Sequence, residues 1–276
     1  MPKSQRGNLV AVAIPMYQNA LNNEELTSLR HLTHFLGQYD LFLIAPQELQ
    51  ISMDGFQVKR FPDRYFESTT SYSKLLLSRS FYERLVDYKY ILVYQLDALV
   101  FSSNLERWCN TGYDYIGAPW FRDPDHPERG LSRCGNGGFS LRRVEAFLSV
   151  LNSRHTLKNS PQTWRELLFR PMPDVDLKFN GVGRLAKRMK VLRDVIKGID
   201  WYIQNYSLNE DHFWADRARY FDPSFKVAPL EVSLPFAFER APKKCYEAND
   251  YKPPFGCHAW FKWDRDFWEP FLLEAR

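Results

Sequence analysis

Tyr90-Ile91-Leu92-Val93-Tyr94-Gln95-Leu96-Asp97-Ala98-Leu99-Val100-Phe101 decides how the rest of the chain is read. The apolar run Tyr90 to Val93 reads as a buried strand. It leads into one aspartate, and a second apolar run follows. Asp97 therefore stands at or near the carboxyl end of a strand, the edge at which open α/β sheets bind ligands. A carboxylate there can hold a divalent cation against a diphosphate. The alternative is a strand-end carboxylate satisfied by backbone N–H groups. The ligand reading is preferred because three further segments fit it: Gly135-Asn136-Gly137-Gly138, Glu210-Asp211 and Phe255-Gly256-Cys257-His258.

Toward the amino terminus, strands and helices alternate. Leu9 to Ile14 reads as the first strand, ended by Pro15, and Leu41 to Ala45 as the second, stopped by Pro46; Gly55 to Phe61 is a third. Between them, Asn22 to Leu36 has helical spacing, with Leu26, Leu29, Leu32, Phe35 and Leu36 on one face. Ser71 to Val86 reads as another helix, with Leu77, Phe81 and Leu85 on one stripe. This alternation predicts a largely parallel sheet. Beyond Phe101, Tyr113 to Ala118 reads as a strand cut by Pro119, and Arg122 to Arg129 as an exposed loop. Gly138 to Leu141 reads as a strand that runs into a helix from Arg142 to Leu151. Asn159 to Gly183 reads as irregular, Arg184 to Ile203 as helical, and the proline- and aromatic-rich tail after Asp222 as no simple helix. No repeat or low-complexity segment is present. The expectation is one domain over 1–276, with a nucleotide-binding half near 8–110 and an acceptor-side half near 111–276.

The 276 residues, 45% hydrophobic and 25% charged, are ordinary for a globular α/β protein. Aromatics reach 16%, and a packed core is their commoner use, ahead of stacking platforms. A net charge of +4 falls short of a dedicated nucleic-acid binder. Cys109, Cys134, Cys245 and Cys257 have neither zinc-finger nor redox spacing, and read as free thiols of a reducing compartment. Met1 to Gly7 carries no signal-peptide core, and no apolar run approaches the ~20 residues of a membrane span. A cytoplasmic location follows as the expectation.

Each segment carries a chemistry and a plainer alternative. Gly135-Asn136-Gly137-Gly138 lets backbone and ligand approach closely, and Asn-Gly is also a turn signal. Acids at Glu210-Asp211 suit a helix amino terminus, with Asn209 as N-cap; the same Asp can serve as a general base. His258, beside Cys257 and Trp260, is either a metal ligand or a hydrogen-bonded core residue. Tyr17 can stack on a base or pack its loop. Lys74 can meet a pyrophosphate or stand as a surface lysine. In 184–197, Leu185, Met189, Leu192 and Ile196 form an apolar stripe, and six cations oppose Asp194. That helix either packs on the core with its basic face in water or lies on an anionic membrane.

Taken in order, the four segments resemble the marks of GT-A-fold, sugar-nucleotide-dependent glycosyltransferases, over about Leu9 to Trp268. The phrases Tyr-Gln-Leu-Asp-Ala, Tyr-Ile-Gly-Ala-Pro-Trp, Gly-Asn-Gly-Gly-Phe-Ser, Glu-Asp-His-Phe-Trp and Phe-Gly-Cys-His-Ala-Trp resemble uncharacterised bacterial members from surface-polysaccharide gene clusters. The resemblance implies a GT-A-like, Rossmann-like α/β domain with a mostly parallel central sheet flanked by helices. It implies an inverting transfer of a sugar from a nucleoside diphosphate to a hydroxyl of a glycan or lipid-linked glycan, with Asp211 as base. Glu210, Trp120 and Trp214 are then acceptor-side, and Pro15, Tyr17, Lys74, Gln95, Asp97, Gly135, Asn136, Gly137 and Gly138 donor-side. Asp97 and His258 would hold Mn²⁺ or Mg²⁺. Nucleic acid is not an expected partner; contact with the inner face of a membrane through 184–197 is. The chain departs from the family's Asp-X-Asp pattern in having one carboxylate at Gln95-Leu96-Asp97-Ala98-Leu99. Two alternatives stand: a sugar-nucleotide-forming nucleotidyltransferase, disfavoured because no glycine-rich, basic triphosphate cradle follows Pro15, and a non-catalytic carbohydrate-binding protein on a degenerate GT-A scaffold.

Overall fold

The computed structural model describes residues 9–154 and 180–274. Among them, six strands form the main sheet in the order β3-β2-β1-β4-β9-β6. The strands are β1 (Val10–Pro15), β2 (Asp40–Pro46), β3 (Phe56–Phe61), β4 (Tyr90–Tyr94), β6 (Tyr115–Gly117) and β9 (Phe139–Arg143). The first four in that order pair in parallel, while β9 runs antiparallel to both β4 and β6. The expected α/β class with a mostly parallel sheet is therefore present. The antiparallel strand was not foreseen, because periodicity reports a strand and not its direction. β4 is buried along its whole length and β1 up to Pro15, as strands covered on both faces must be.

The chain leaves β1 toward β2 on one side, while β4 lies on the other. That reversal opens a crevice at the carboxyl ends of β1 and β4, where Pro15-Met16-Tyr17 and Gln95-Leu96-Asp97 emerge.

Several elements differ locally from the sequence reading. The expected Ser71–Val86 helix is two, Thr69–Leu76 and Arg79–Glu83, because the Ser78 hydroxyl caps the second by accepting from Phe81 N. Leu77, Phe81 and Leu85 are nonetheless buried. The Asn23–Leu36 helix buries Ser28, His31, Leu32 and Leu36, with Leu26 outside that face. Pro119 does not cut a strand but opens β7 (Pro119–Phe121), which pairs with β8 (Leu131–Cys134). The expected 184–203 helix is broken at Gly198, whose φ is 91°, into Gly181–Ile196 and Ile199–Gln204. The irregular reading of 159–183 lies mostly outside the described residues; its end belongs to the first of these helices. All four cysteines are free and buried. No described helix is long and apolar enough to cross a membrane.

A small second sheet fixes the site. β5 (Leu99–Val100) pairs antiparallel with β11 (Gly256–Cys257), which pairs in parallel with β10 (Ala237–Phe238). Cys257 faces Leu99 in this register, so the residue after β11, His258, meets the residues just before β5.

Candidate active site

Three backbone hydrogen bonds converge on His258. Its own N–H donates to Phe238 O at 2.9 Å, which brings Glu239 alongside. Trp260 N donates to Asp97 O at 3.0 Å, and Gln95 N to Gly138 O at 2.9 Å. The side chains follow this frame. His258 Nε2 lies 3.2 Å from Asp97 Oδ1 and 3.1 Å from Gln95 Oε1. Its Nδ1 lies 3.2 Å from Glu239 Oε1 and 2.9 Å from Asn136 Nδ2. The imidazole sits so close to the glycine-rich loop that a Cβ on Gly138 would stand 2.0 Å from Nε2. Only glycine fits there.

Burial alone would push the His258 pKa down. The Asp97 and Glu239 carboxylates outweigh it and hold the imidazolium up to about 10. Burial likewise acts to raise Asp97, but the facing imidazolium wins and its carboxyl is lowered.

The ring joins side chains that line two cavities. One, about 480 Å³, is lined by Pro15, Tyr17, Tyr72, Gln95, Asp97 and Phe261, among others. It is the crevice at the ends of β1 and β4. Tyr17 is 61% exposed and Phe261 37%, so both offer aromatic surface to a ligand. The other cavity, about 510 Å³, is lined by Trp120, Arg133, Asn136, Asp211, His212 and Glu239, among others. Each nitrogen of His258 thus faces side chains of a different cavity.

Asp211 stands in the first turn of the Glu210–Asp216 helix, and its Oδ1 accepts from His212 N at 2.8 Å. Asn209 precedes it in extended conformation but makes no side-chain cap, so capping does not account for this segment. Burial pushes the Asp211 carboxyl up, with Glu239 adding to the rise.

Glu210 is a correction. The expected acceptor contact is instead a buried ion pair with Arg142, whose guanidinium reaches Oε1 at 2.8 Å and Oε2 at 3.1 Å. Arg142 also donates to Ser140 Oγ at 2.9 Å, Tyr82 Oη at 3.1 Å and Gly137 O at 3.2 Å. Every donor of the fork has a partner. Burial pushes Glu210 up to about 7 against the pull of Arg142. The pair clamps the Asp211 helix onto β9.

Trp214 is a second correction: it is fully buried, with its ring centroid 4.0 Å from that of Phe147, and belongs to the core. Trp120 lines the second cavity, but its ring is packed by neighbours. His212 stacks on it at 4.4 Å, and Gly135 lies across the ring so closely that a Cβ there would come within 2.1 Å of two ring carbons. Lys74 is a third correction. Its Nζ donates to Ile203 O at 2.6 Å and Tyr206 O at 2.7 Å, fastening the end of the Ile199–Gln204 helix, and lines neither cavity.

Sequence reasoning missed Glu239 and Arg142. Nothing marks Glu239 in Phe238-Glu239-Arg240. Arg142 left a faint signal, an arginine directly after the apolar Phe139-Ser140-Leu141 run.

Among the described residues, no group of three or more His, Cys, Asp or Glu side chains is gathered to hold a metal ion. The pair Asp97 and His258 nevertheless fits one edge of a cation. Asp97 Oδ1 is buried, and its ion pair with His258 Nε2 apart it meets no donor. Its 3.2 Å separation from Nε2 is close to the ~3 Å between adjacent ligands of an octahedral ion with bonds of about 2.1 Å.

A family model described as Protein of unknown function (DUF5672) matches residues 55–258. No curated protein matches the chain. Among solved structures, it is similar to the galactosyltransferase LgtC in complex with donor and acceptor sugar analogs, at 12% identity over 96% of this chain and 97% of that one, TM-score 0.49. It is similar to the glycosyltransferase GlyE of Streptococcus pneumoniae TIGR4, at 12% identity over 97% and 61%, TM-score 0.44. It is also similar to the bifunctional IspDF of Campylobacter jejuni, at 10% identity over 56% and 46%, TM-score 0.33. The chain spans less than two thirds of the length of GlyE and of IspDF. Likeness at this level decides neither activity nor substrate.

Proposed function

The chain belongs to the family described as Protein of unknown function (DUF5672), a membership that assigns no activity, and we propose from the site itself that it is an inverting glycosyltransferase using a nucleoside-diphosphate sugar. The observation that carries the reading is that His258 ties together the linings of two cavities, touching Asp97 and Gln95 of one and Glu239 and Asn136 of the other, which Asp211 also lines. A direct displacement between two substrates needs two adjoining pockets. It needs a base in one and charge neutralisation in the other.

The donor occupies the cavity at the ends of β1 and β4, its base against Tyr17 and Phe261 and its diphosphate toward Gln95 and Asp97. The acceptor hydroxyl lies in the other cavity, within reach of Asp211. Asp211 removes the hydroxyl proton as the oxygen attacks the anomeric carbon from the face opposite the departing diphosphate, through an oxocarbenium-like transition state. The raised Asp211 carboxyl suits proton capture near neutral pH. Asp97 and His258 are the side chains that would hold a divalent cation, His258 only after giving up its Nε2 proton, with Glu239 accepting from the other ring nitrogen and fixing its tautomer. Such an ion, when bound, supplies neutralisation of charge on the diphosphate. Arg142 and Glu210 position Asp211 without touching substrate. The bacterial surface-glycan setting rests on the sequence resemblance alone.

The test is release of nucleoside diphosphate from a panel of sugar nucleotides, with Mn²⁺, with Mg²⁺ and with chelator. Turnover of one donor, reduced about 10² to 10⁴-fold by Asp211→Asn with unchanged unfolding, is the expected result. Near-normal transfer by Asp211→Asn removes the base assignment. Neither turnover nor thermal stabilisation by any nucleoside diphosphate removes the sugar-nucleotide reading. Turnover indifferent to chelation leaves the His258 imidazolium, without a metal, facing the diphosphate.

A further inference from the structure

The Gly181–Ile196 helix enters the fold by one end. Leu192 and Val195 are buried in the main core. From there the chain continues through the Ile199–Gln204 helix, which Lys74 and Arg79 fasten, to the helix of Asp211. Residues 181–187, its first two turns, are exposed throughout. Val182, Leu185 and Met189 are 85%, 58% and 49% exposed. Spacings of three and four residues set them on one stripe. A helix packed on the core by its apolar face would have hidden them.

The rest of the circumference is cationic. Arg184, Lys187, Arg188, Lys190, Arg193 and Lys197 share it with one carboxylate, Asp194, which lies 3.5 Å from Arg193 and 3.6 Å from Lys197. Six cations less one carboxylate give residues 181–197 a charge of +5, whereas the whole chain carries +4. The remainder is therefore close to neutral, and the positive charge of the protein is concentrated on this helix.

We propose that the Gly181–Ile196 helix is a docking surface for an anionic lipid bilayer, with Val182, Leu185 and Met189 entering the acyl boundary and the flanking cations meeting the headgroup phosphates. Charge complementarity selects this occupant. Pairing with the same helix of a second copy would set +5 against +5. A nucleic-acid backbone would answer the charge but leave the apolar stripe in water, and the stripe has no aromatic residue to stack on a base. The inference stands apart from the proposed glycosyl transfer, and its test measures no turnover. Were both correct, the base helix would hang two connections from the membrane surface, a placement suited to a lipid-linked acceptor.

The intact chain is sedimented with vesicles of phosphatidylcholine alone, and with vesicles containing about 30 mol% phosphatidylserine, at low and high salt. Binding to the anionic vesicles only, weakened by salt, is expected. Arg184→Gln/Lys190→Gln should weaken it about 25-fold, at roughly fivefold per charge. Leu185→Gln/Met189→Gln, which leaves the charge intact, should weaken it at least about tenfold. Circular dichroism and thermal unfolding confirm that each variant is folded. The proposal is overturned by absence of a preference for anionic vesicles, or by full binding of Leu185→Gln/Met189→Gln. It is overturned equally by duplex DNA binding without vesicle binding, or by a lipid-free dimer that Leu185→Gln dissolves.

Discussion

Replacing Arg142 with methionine should strand the Glu210 carboxylate in the core. Arg142 is fully buried, and Glu210 is only 4% exposed. Breaking a buried pair by removing one partner costs about 3–5 kcal/mol. Tyr82 Oη and Ser140 Oγ lose a donor as well, at about 1 kcal/mol each, though Ser140 keeps its bond to Gly137 O at 2.9 Å. A loss of about 4–6 kcal/mol at pH 8 is the expectation. It should shrink by up to about 1.4 kcal/mol per pH unit toward acid, because Glu210, without its counter-ion, can escape by taking a proton. Arg142→Met/Glu210→Leu removes both charges and should recover most of the loss, as replacement of a whole buried pair often does. Urea unfolding followed by tryptophan fluorescence, on both single variants and the double at pH 6 and pH 8, measures the cycle. A single-variant cost below about 1 kcal/mol, a cost indifferent to pH, or additivity of the two singles would refute the clamp.

Three further outcomes follow from the geometry. Gly138→Ala sets a methyl 2.0 Å from His258 Nε2, so the imidazole must move, and nucleoside diphosphate binding by calorimetry should weaken at least about tenfold; unchanged binding would place the donor elsewhere. Lys74→Met should cost about 1–2 kcal/mol in urea unfolding by freeing the carbonyls of Ile203 and Tyr206, while leaving donor KM untouched; a raised KM would restore Lys74 to the donor site. His31 and His258 should act on stability from opposite sides of pH 6.5. Burial holds the His31 pKa below its unfolded value near 6.5, with Arg30 and His34 opposing its charge, so below that pH the unfolded chain binds a proton that the native state refuses, and stability falls. His258 acts in the opposite sense. Its folded pKa is raised to about 10, so its contribution, full below pH 6.5, is lost as pH rises toward 10. Acid-side loss that persists in His31→Gln would separate it from this residue.

The strand–helix rhythm of 9–101 and the place of Asp97 were legible because apolar periodicity is a local signal and the sheet edge follows from it. The proximity of Gly138 and His258 was legible only through the resemblance. What could not be read were pairings over long separations. Arg142 meets Glu210 across 68 residues and Lys74 meets Ile203 across 129; a charged side chain looks the same in sequence whether water or a distant partner satisfies it. Trp120 and Trp214 misled for a related reason, since an aromatic ring reads alike as platform and as filler. Ser78 was readable in principle, because a serine three residues before Phe81 is a cap signal that the continuous stripe of Leu77, Phe81 and Leu85 obscured.

The single ring that ties the linings of the two cavities together also bears on how ligands bind. A ligand that draws Gln95 or Asp97 away from Nε2 changes what Nδ1 can offer to Glu239, so filling one chamber alters the free energy of filling the other. Linkage makes that influence mutual and equal in both directions. On the proposed reading, two substrates that communicate through one imidazole do not bind with independent constants. Each should shift the dissociation constant of its partner by the same factor, read by calorimetry of either ligand with the other absent and then saturating; a factor of one in both directions would show that the ring carries no coupling.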